Sequence, residues 1–475
     1  MTQQIKRRDF LKLAGASSVA AGGLISAFPA PAFAQVQNPN SKLNIACVGI
    51  SGRGGDNVNG VSGENIVAIC DVDANVLNRG AERFPNAKRF RDYRKMYDEC
   101  EKDFDAVTVS TPDHTHAAPA IMGMKLGKHC YCEKPLAHNV KEVRDMMAIA
   151  REKQLATQMG TQIHAEGNYR RVVELVRAGA IGTIKEVHVW CGTRWGGRPF
   201  ATETPEVPAN IDWDIWLGPA EERTYHPQYF GGSWRCFWNF GNGTLGDMAC
   251  HHIDLSFWAL GLRYPATVEA FSEEEVTKEV APGQLKVEYT FAAVQGRTGA
   301  GTGTGQPRQG GQANAQPRPG GQPNVRFGQP RPEIKLTWYD GGLQPALIKE
   351  KGLPSWGAGT LFVGEEGMLM ADYGQRKLYP EDKFADYKEP EKSIPDSVGH
   401  HQEWINACKA GSQTPGSRTT CNFNYSGPLA ETVLLGAVAF RTGKKLEWDA
   451  QNMKATNCPE ADQYLSRTYR KGWEV

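Results

Sequence analysis

The sequence predicts a two-domain protein. Residues 41–160 form a doubly wound α/β domain around a parallel sheet, and residues 161–475 an α+β domain with an open, mostly antiparallel sheet. Three observations carry this prediction. From residue 41 to 160, short continuous apolar runs alternate with helical patterns. Beyond residue 182, strand-like segments follow one another at hairpin spacing. The chain of 475 residues is also long enough to bury two ordinary cores.

The elements follow in order. "KLNIACVGI" (Lys42–Ile50), "NIVAICDVD" (Asn65–Asp73), "FDAVTVSTP" (Phe104–Pro112) and "KHCYCEKPL" (Lys128–Leu136) read as strands buried on both faces, with "LATQMG" (Leu155–Gly160) a fifth. "DANVLNRGAERF", "HAAPAIMGMKLG" and "VKEVRDMMAIAREK" between them repeat apolar residues at helical spacing. "NYRRVVELVRAGAIG" (Asn168–Gly182) is a helix with a glycine stop, and "TIKEVHVWCG" alternates like a strand open on one face. "ATVEAFS", "LKVEYTFAAV", "EIKLTWYDGG", "GTLFVGEEGMLMAD" and "KLEWD" supply the remaining strands of the second domain.

Two segments read as lying outside this fold. Residues 1–34 combine Arg7-Arg8, Phe10, Leu11 and Lys12 with an uncharged Gly/Ala/Ser-rich run and the cleavage signature Ala32-Phe33-Ala34. This is the pattern of a twin-arginine signal peptide, too short and too weakly apolar for a membrane span. It predicts use of the twin-arginine export machinery and a periplasmic or otherwise exported location. Cleavage would remove four cations and one anion, taking the formal net charge from +1 to −2. Residues 296–332 are almost wholly Gly, Gln, Pro, Arg, Asn, Thr and Ala, with five arginines and no acidic residue. Such a stretch cannot bury enough apolar surface to offset its ordering entropy, so it reads as a disordered excursion at a hairpin tip. An RNA-binding arginine–glycine segment would find little to bind outside the cell, and near-zero net charge excludes a general pull on nucleic acid. The 11 cysteines are odd in number and lack a disulfide framework. Cys47 and Cys70 are expected to act as small buried hydrophobes, and a Cys130–Cys132 bridge is the lesser reading of that pair.

The loop "GISGRGG" (Gly49–Gly55) follows the first strand. It approximates the dinucleotide fingerprint G-x-G-x-x-G, with Gly49 first, Gly54 third and Ser51 in place of the middle glycine. Ser51, Gly52 and Arg53 are placed to present N–H groups at a helix start. Asp71 ends the next strand, where a carboxylate accepts from ribose hydroxyls and repels a 2′-phosphate. NAD is therefore expected in preference to NADP.

With "STPDHTH" (Ser110–His116), "EKP" (Glu133–Pro135) and "GDMACHHID" (Gly246–Asp254) added to that loop, the chain resembles the glucose–fructose oxidoreductase / inositol dehydrogenase (Gfo/Idh/MocA) family. The stretches "IDWDIWLGPA", "WNFGNGTLGDMACHHID", "HHQEWINACKAG" and "YRKGW" look like an exported bacterial branch of it. The resemblance implies a Rossmann domain binding a nicotinamide cofactor, chemistry on sugars or cyclitols, and a homo-oligomer. It implies that Lys134 meets the reacting oxygen, that Asp247 and His251 are the substrate-binding aspartate and catalytic histidine, and that Thr111, Pro112, His116 and Glu133 lie along the cofactor. A related branch of the family contains glycoside hydrolases that oxidise, eliminate and re-reduce on the same NAD.

The residues support these roles on their own chemistry. Alcohol oxidation needs a proton acceptor, which imidazole provides near neutrality, and a cation beside the developing alkoxide, which Lys134 at a parallel strand end provides. In "GDMACHHIDL" a helix is expected to start near Asp247. That places Asp247, Cys250, His251 and Asp254 on one face and His252 about 100° away. An i, i+4 pair is also how H-E-x-x-H helices hold zinc, but no third ligand stands at a telling spacing; His400-His401 qualify by type alone. Among the tryptophans concentrated between residues 190 and 258, Trp195 beside Arg194 is the best candidate to stack on a sugar, with Tyr225 and Arg235 further candidates. The expected enzyme is an exported oxidoreductase with tightly bound NAD, or alternatively an NAD-dependent glycosidase or lyase.

Overall fold

The computed structural model describes residues 41–199, 202–295, 330–411 and 419–475. The expected signal peptide lies outside the described residues, as does residues 296–329 of the expected excursion.

The first sheet contains β1 (Asn44–Val48), β2 (Asn65–Cys70), β3 (Lys88–Phe90), β4 (Ala106–Val109), β5 (His129–Cys132) and β6 (Thr157–Met159), all parallel in the order β3-β2-β1-β4-β5-β6. Five of the six were expected. Strand β3 was not, because only Phe90 of its three residues is buried, which leaves no apolar run to detect. The strand order reverses at β1 and β4, where Val48 pairs with Val109. The loops leaving these two strands, from Gly49 and from Ser110, therefore flank the crevice where open α/β sheets bind ligands.

One helix assigned to the second domain belongs with the first core. In His400–Ala410, Trp404, Ile405, Ala407 and Cys408 bury against Leu43, Ile45 and Val58. A helix this far along the chain cannot be attached to β1 by local pattern, so the boundary at residue 160 does not divide the cores cleanly.

The second sheet contains β7 (Ile184–Cys191), β8 (Thr267–Phe271), β9 (Lys286–Phe291), β10 (Ile334–Tyr339), β11 (Ala358–Gly364), β12 (Met368–Ala371), β13 (Arg376–Tyr379), β14 (Leu446–Asp449) and β15 (Lys454–Ala455). Their order is β13-β12-β11-β7-β10-β9-β8-β14-β15, and only β7 and β10 run parallel. The open, mostly antiparallel sheet is as expected. Strands β9 and β10 pair from Phe291–Ile334 with a further bridge at Val294–Arg331, so the described residues on either side of 296–329 are the two arms of one hairpin. Helices Gly243–Leu260 and Phe423–Thr442 cover the inner face, and the latter is buried almost all round.

All eleven cysteines are free and buried, and Cys130 and Cys132 share one core without a bridge. Burial pushes the Cys47 thiol up to about 12, so it behaves as a small hydrophobe.

Candidate active site

A cleft of about 1020 Å³ lies at the carboxyl ends of β1, β2, β4 and β5 and is closed on its far side by the Gly243–Leu260 helix. Its first end is the glycine loop. Gly49 has φ +75°, and a Cβ there would stand 2.7 Å from the Ser110 carbonyl oxygen. A Cβ on Gly54 would stand 2.2 Å from the Gly49 oxygen, so Gly54 allows the Arg53–Val61 helix to pack against the loop. Gly52, with φ +53° and ψ −124°, takes a backbone conformation that favours glycine. Ser51 is not among the positive-φ residues, so a side chain at this position costs no backbone strain.

Asp71 lines the cleft just after β2; its Oδ2 accepts from the Ile50 N–H (3.0 Å) and its Oδ1 from the Asp73 N–H (3.1 Å). Arg53 stands at the rim, half-exposed and paired with Asp56 at 3.2 Å. Thr111, Pro112 and His116 line the middle. The Thr111 Oγ1 is buried without a partner, and His116 Nε2 is 2.7 Å from the Thr111 carbonyl, which fixes it as a donor there. Burial pushes His116 down to about 3, so the ring is neutral. The Gly49–Gly54 cradle, Asp71 and the orphaned threonine hydroxyl together fit an elongated dinucleotide. Glu133 lines the same wall, but its Oε1 is already taken by Asn57 and Gln162 side-chain amides, each at 2.9 Å. It holds the turn that carries Lys134 more than it offers free oxygens to a ligand.

At the other end Lys134 and Asp247, from different domains, form a buried ion pair. Asp247 also accepts from Arg235 Nε and Trp195 Nε1, each at 2.7 Å. Burial alone would favour the neutral acid, but Lys134 and Arg235 outweigh it and hold the Asp247 carboxyl well below the usual carboxylate range. The carboxylate is thus engaged by two cations and one indole N–H. His251, one turn on, lines the cleft; its imidazole makes no hydrogen bond among the described residues. Burial and then the nearby Lys134 charge push its pKa well below the ordinary histidine value, so it is neutral at pH 7 and able to accept a proton.

Several expectations need correction. The helix begins at Gly243, a turn before Asp247, because the glycines of "GNGTLG" disguise its first turn as loop. Asp254 shares the face of Asp247 in projection but stands about 10 Å further along the axis at helical rise. It is wholly buried, paired with His164 Nδ1 at 2.8 Å and the Tyr425 hydroxyl at 2.6 Å. Arg194 turns to solvent toward Glu274 at 3.5 Å, because the chain leaving β7 turns Trp195 inward. Tyr225 is buried edge-on against Trp213, with ring centroids 5.4 Å apart, behind the Trp216 and Phe230 rings that line the cleft, and does not line it itself. His400 and His401 are held elsewhere, by the Met159 carbonyl and the Asn57 Oδ1 respectively. Among the described residues no three His, Cys, Asp or Glu side chains are placed to share a metal ion.

Sequence reasoning missed Asp113, Met248 and Tyr373, all of which line the cleft. Asp113 lay inside the quoted "STPDHTH", but nothing in the motif reveals how deeply it is buried. Burial pushes its carboxyl up to about 7, against the pull of Lys134 and Arg235 and with the push of Asp247. The folded state therefore holds a proton that the unfolded chain releases near pH 4. Asp113 costs stability as pH rises from about 4 to about 7. Asp113→Asn is expected to raise the melting temperature at pH 8 and to converge on the parent below pH 4, as measured by calorimetry across pH. An equal gain at both pH values would contradict this.

Residues 43–161 match the model of the oxidoreductase family with the NAD-binding Rossmann fold, and residues 170–296 match that family's C-terminal alpha/beta domain. The chain belongs to the Gfo/Idh/MocA family. This Gfo/Idh/MocA protein is similar to a glycosyl hydrolase family 109 protein of Solibacter usitatus, with 31% identity over 191 residues, 38% of this chain and 44% of that one. It is also similar to levoglucosan dehydrogenase of Pseudarthrobacter phenanthrenivorans, with 27% identity over 199 residues, 41% of this chain and 42% of that one. The matched stretches span less than half the length of either relative. Its fold is that of the WlbA dehydrogenase from Bordetella pertussis, solved with NADH and UDP-GlcNAcA: TM-score 0.54 and 17% identity, covering 86% of this chain and 99% of that one.

Proposed function

We propose that this Gfo/Idh/MocA protein is an exported oxidoreductase that acts on a secondary alcohol of a sugar, glycoside or cyclitol with NAD held tightly. The observation that carries the reading is the placing of buried Lys134, oriented by Asp247, in one cleft with His251, whose imidazole has no hydrogen-bond partner among the described residues. When bound, NAD supplies the hydride acceptor. The chain's residues do the rest. Lys134 Nζ donates to the alcohol oxygen and stabilises its developing negative charge. A neutral nitrogen of His251 accepts the hydroxyl proton. Arg235 adds a second cation to the same end of the cleft, and the Trp195 indole offers an apolar wall for a ring.

A second reading is favoured by the similarity to a glycosyl hydrolase family 109 protein: oxidation, elimination and re-reduction in one cycle. Export bears on both readings. The twin-arginine pattern at Arg7-Arg8 and the Ala32-Phe33-Ala34 site imply transport of a folded, loaded protein. Outside the cytoplasm a cofactor has no dependable free pool and must be regenerated where it sits. Denaturing the purified mature protein is expected to release about one NAD per chain. Incubating the intact protein with aryl glycosides then separates the two readings. Aglycone release without added NAD marks the glycosidase, and product formed only with a carbonyl co-substrate marks the dehydrogenase. Release of no nucleotide would overturn the tightly bound cofactor.

A further inference from the structure

Past the reacting end of the cleft lies a second hollow of about 810 Å³. The two spaces have only Met248 and Tyr373 in common. The Gly243–Leu260 helix explains the arrangement. Asp247 and His251 face the cleft, while Met248 and His252, also four apart, form the next stripe and face the second hollow. His252 is neutral, pushed down to about 4 by burial. Its ring stacks on Tyr373, with centroids 4.8 Å apart at 13°, and its Nε2 lies 3.0 Å from the Tyr373 hydroxyl. His252 thereby anchors an aromatic ring that is 38% exposed on the sill between the two spaces.

The chemistry of the hollow narrows its occupant. Trp356 stands half-buried on the far wall, its carbonyl fixed by the Trp190 indole N–H and the Gln344 amide, each at 2.8 Å. Its own indole N–H has no partner among the described residues. Gly192, Gly357 and Gly374 leave room, and Thr193 and Gln375 add hydroxyl and amide edges. Among the described residues no lysine or arginine lines the hollow. Its one carboxylate among the described residues, Asp372, is engaged by the N–H groups of Gly374 and Gln375 and by the Gln375 side-chain amide, each at 2.8 Å. An anionic ligand such as a sugar diphosphate would find no cation there. A flat indole with polar edges suits a neutral, hydroxylated ring.

We propose that this hollow is a second sugar subsite, so that the substrate is a glycoside of at least two rings. One ring reacts between Lys134 and His251, and its neighbour crosses Met248 to lie against Trp356. This rests on the sugar-oxidising reading above. The test compares methyl monosaccharides with disaccharides built from the same rings, on the full holoenzyme, following product formation with a carbonyl co-substrate that reoxidises the bound nicotinamide after each turnover. Disaccharides are expected to show kcat/KM about tenfold higher, the ratio that 1.4 kcal/mol of added contact gives. Trp356→Ala should erase that advantage and leave monosaccharide kcat/KM unchanged, while Trp356→Phe keeps part of it. A Cβ added at Gly357 meets no atom within 4 Å, so Gly357→Phe should block the hollow without disturbing the backbone. Equal kcat/KM for both sugar sizes, or an advantage that survives Trp356→Ala and Gly357→Phe, would overturn the subsite and leave the enzyme's sugar oxidation standing. Oxidation of neither sugar size would overturn the sugar reading and the subsite with it.

Discussion

Lys134→Met is expected to lower kcat/KM for alcohol oxidation by about 10³-fold, the scale seen when one preorganised charge stabiliser is removed. Cofactor content should be unchanged, because the Gly49–Gly54 cradle and Asp71 lie at the other end of the cleft. Methionine keeps the length and apolar stem of lysine and deletes only the charge. Breaking a buried ion pair ordinarily costs about 3 kcal/mol or more, because the surviving charge is stranded. Here Asp247 keeps Arg235 and Trp195 as donors, so the loss of stability should fall well short of that figure. Activity should therefore collapse while thermal unfolding shifts little. A variant that unfolds with its activity would make Lys134 a structural cation; one that keeps turnover would remove it from the chemistry. Arg235→Met should be milder, since Lys134 remains at the reacting oxygen.

The parallel sheet was readable because strands buried on both faces leave unbroken apolar runs, as in Asn44–Val48 and Ala106–Val109. Strand β3 and the return of Trp404 to the first core were not, the one for want of apolar residues and the other because the contact is made at long range. The site divides in the same way. Gly49, Gly54 and Asp71 stand at spacings that one loop and one strand dictate, and local reading places them. Lys134 and Asp247 are 113 residues apart, and only the family resemblance joined them before the fold did. Trp195 and Arg194 are neighbours in the chain that follows β7, and the sequence does not show which of the two side chains faces the cleft. Tyr373 enters from the β12–β13 turn, 121 residues beyond the His252 it touches, with no local signal at all.

His251→Ala is expected to cost about 10³-fold in kcat, within the range for losing a general base, and to leave bound NAD in place. Loss of NAD along with activity would make the imidazole structural. The pH dependence sharpens the test. Burial first, and Lys134 second, push His251 well below its ordinary value, so the ring stays free to accept a proton well below pH 6.5. Wild-type oxidation should consequently hold through pH 6 on its acid side, where an unperturbed histidine would already be failing. In Lys134→Met the residual acid limb should move upward, because the largest of the nearby charges that lower it is gone, yet stop short of 6.5 because burial, the first cause, remains. Stability carries the opposite signature. As pH falls through 6.5, the unfolded chain takes up a proton on residue 251 that the folded state refuses, so folding weakens toward acid. His251→Ala deletes that linkage. It should flatten the acid side of the melting-temperature profile while abolishing turnover, and a merely space-filling histidine kept neutral by packing would show the first change without the second.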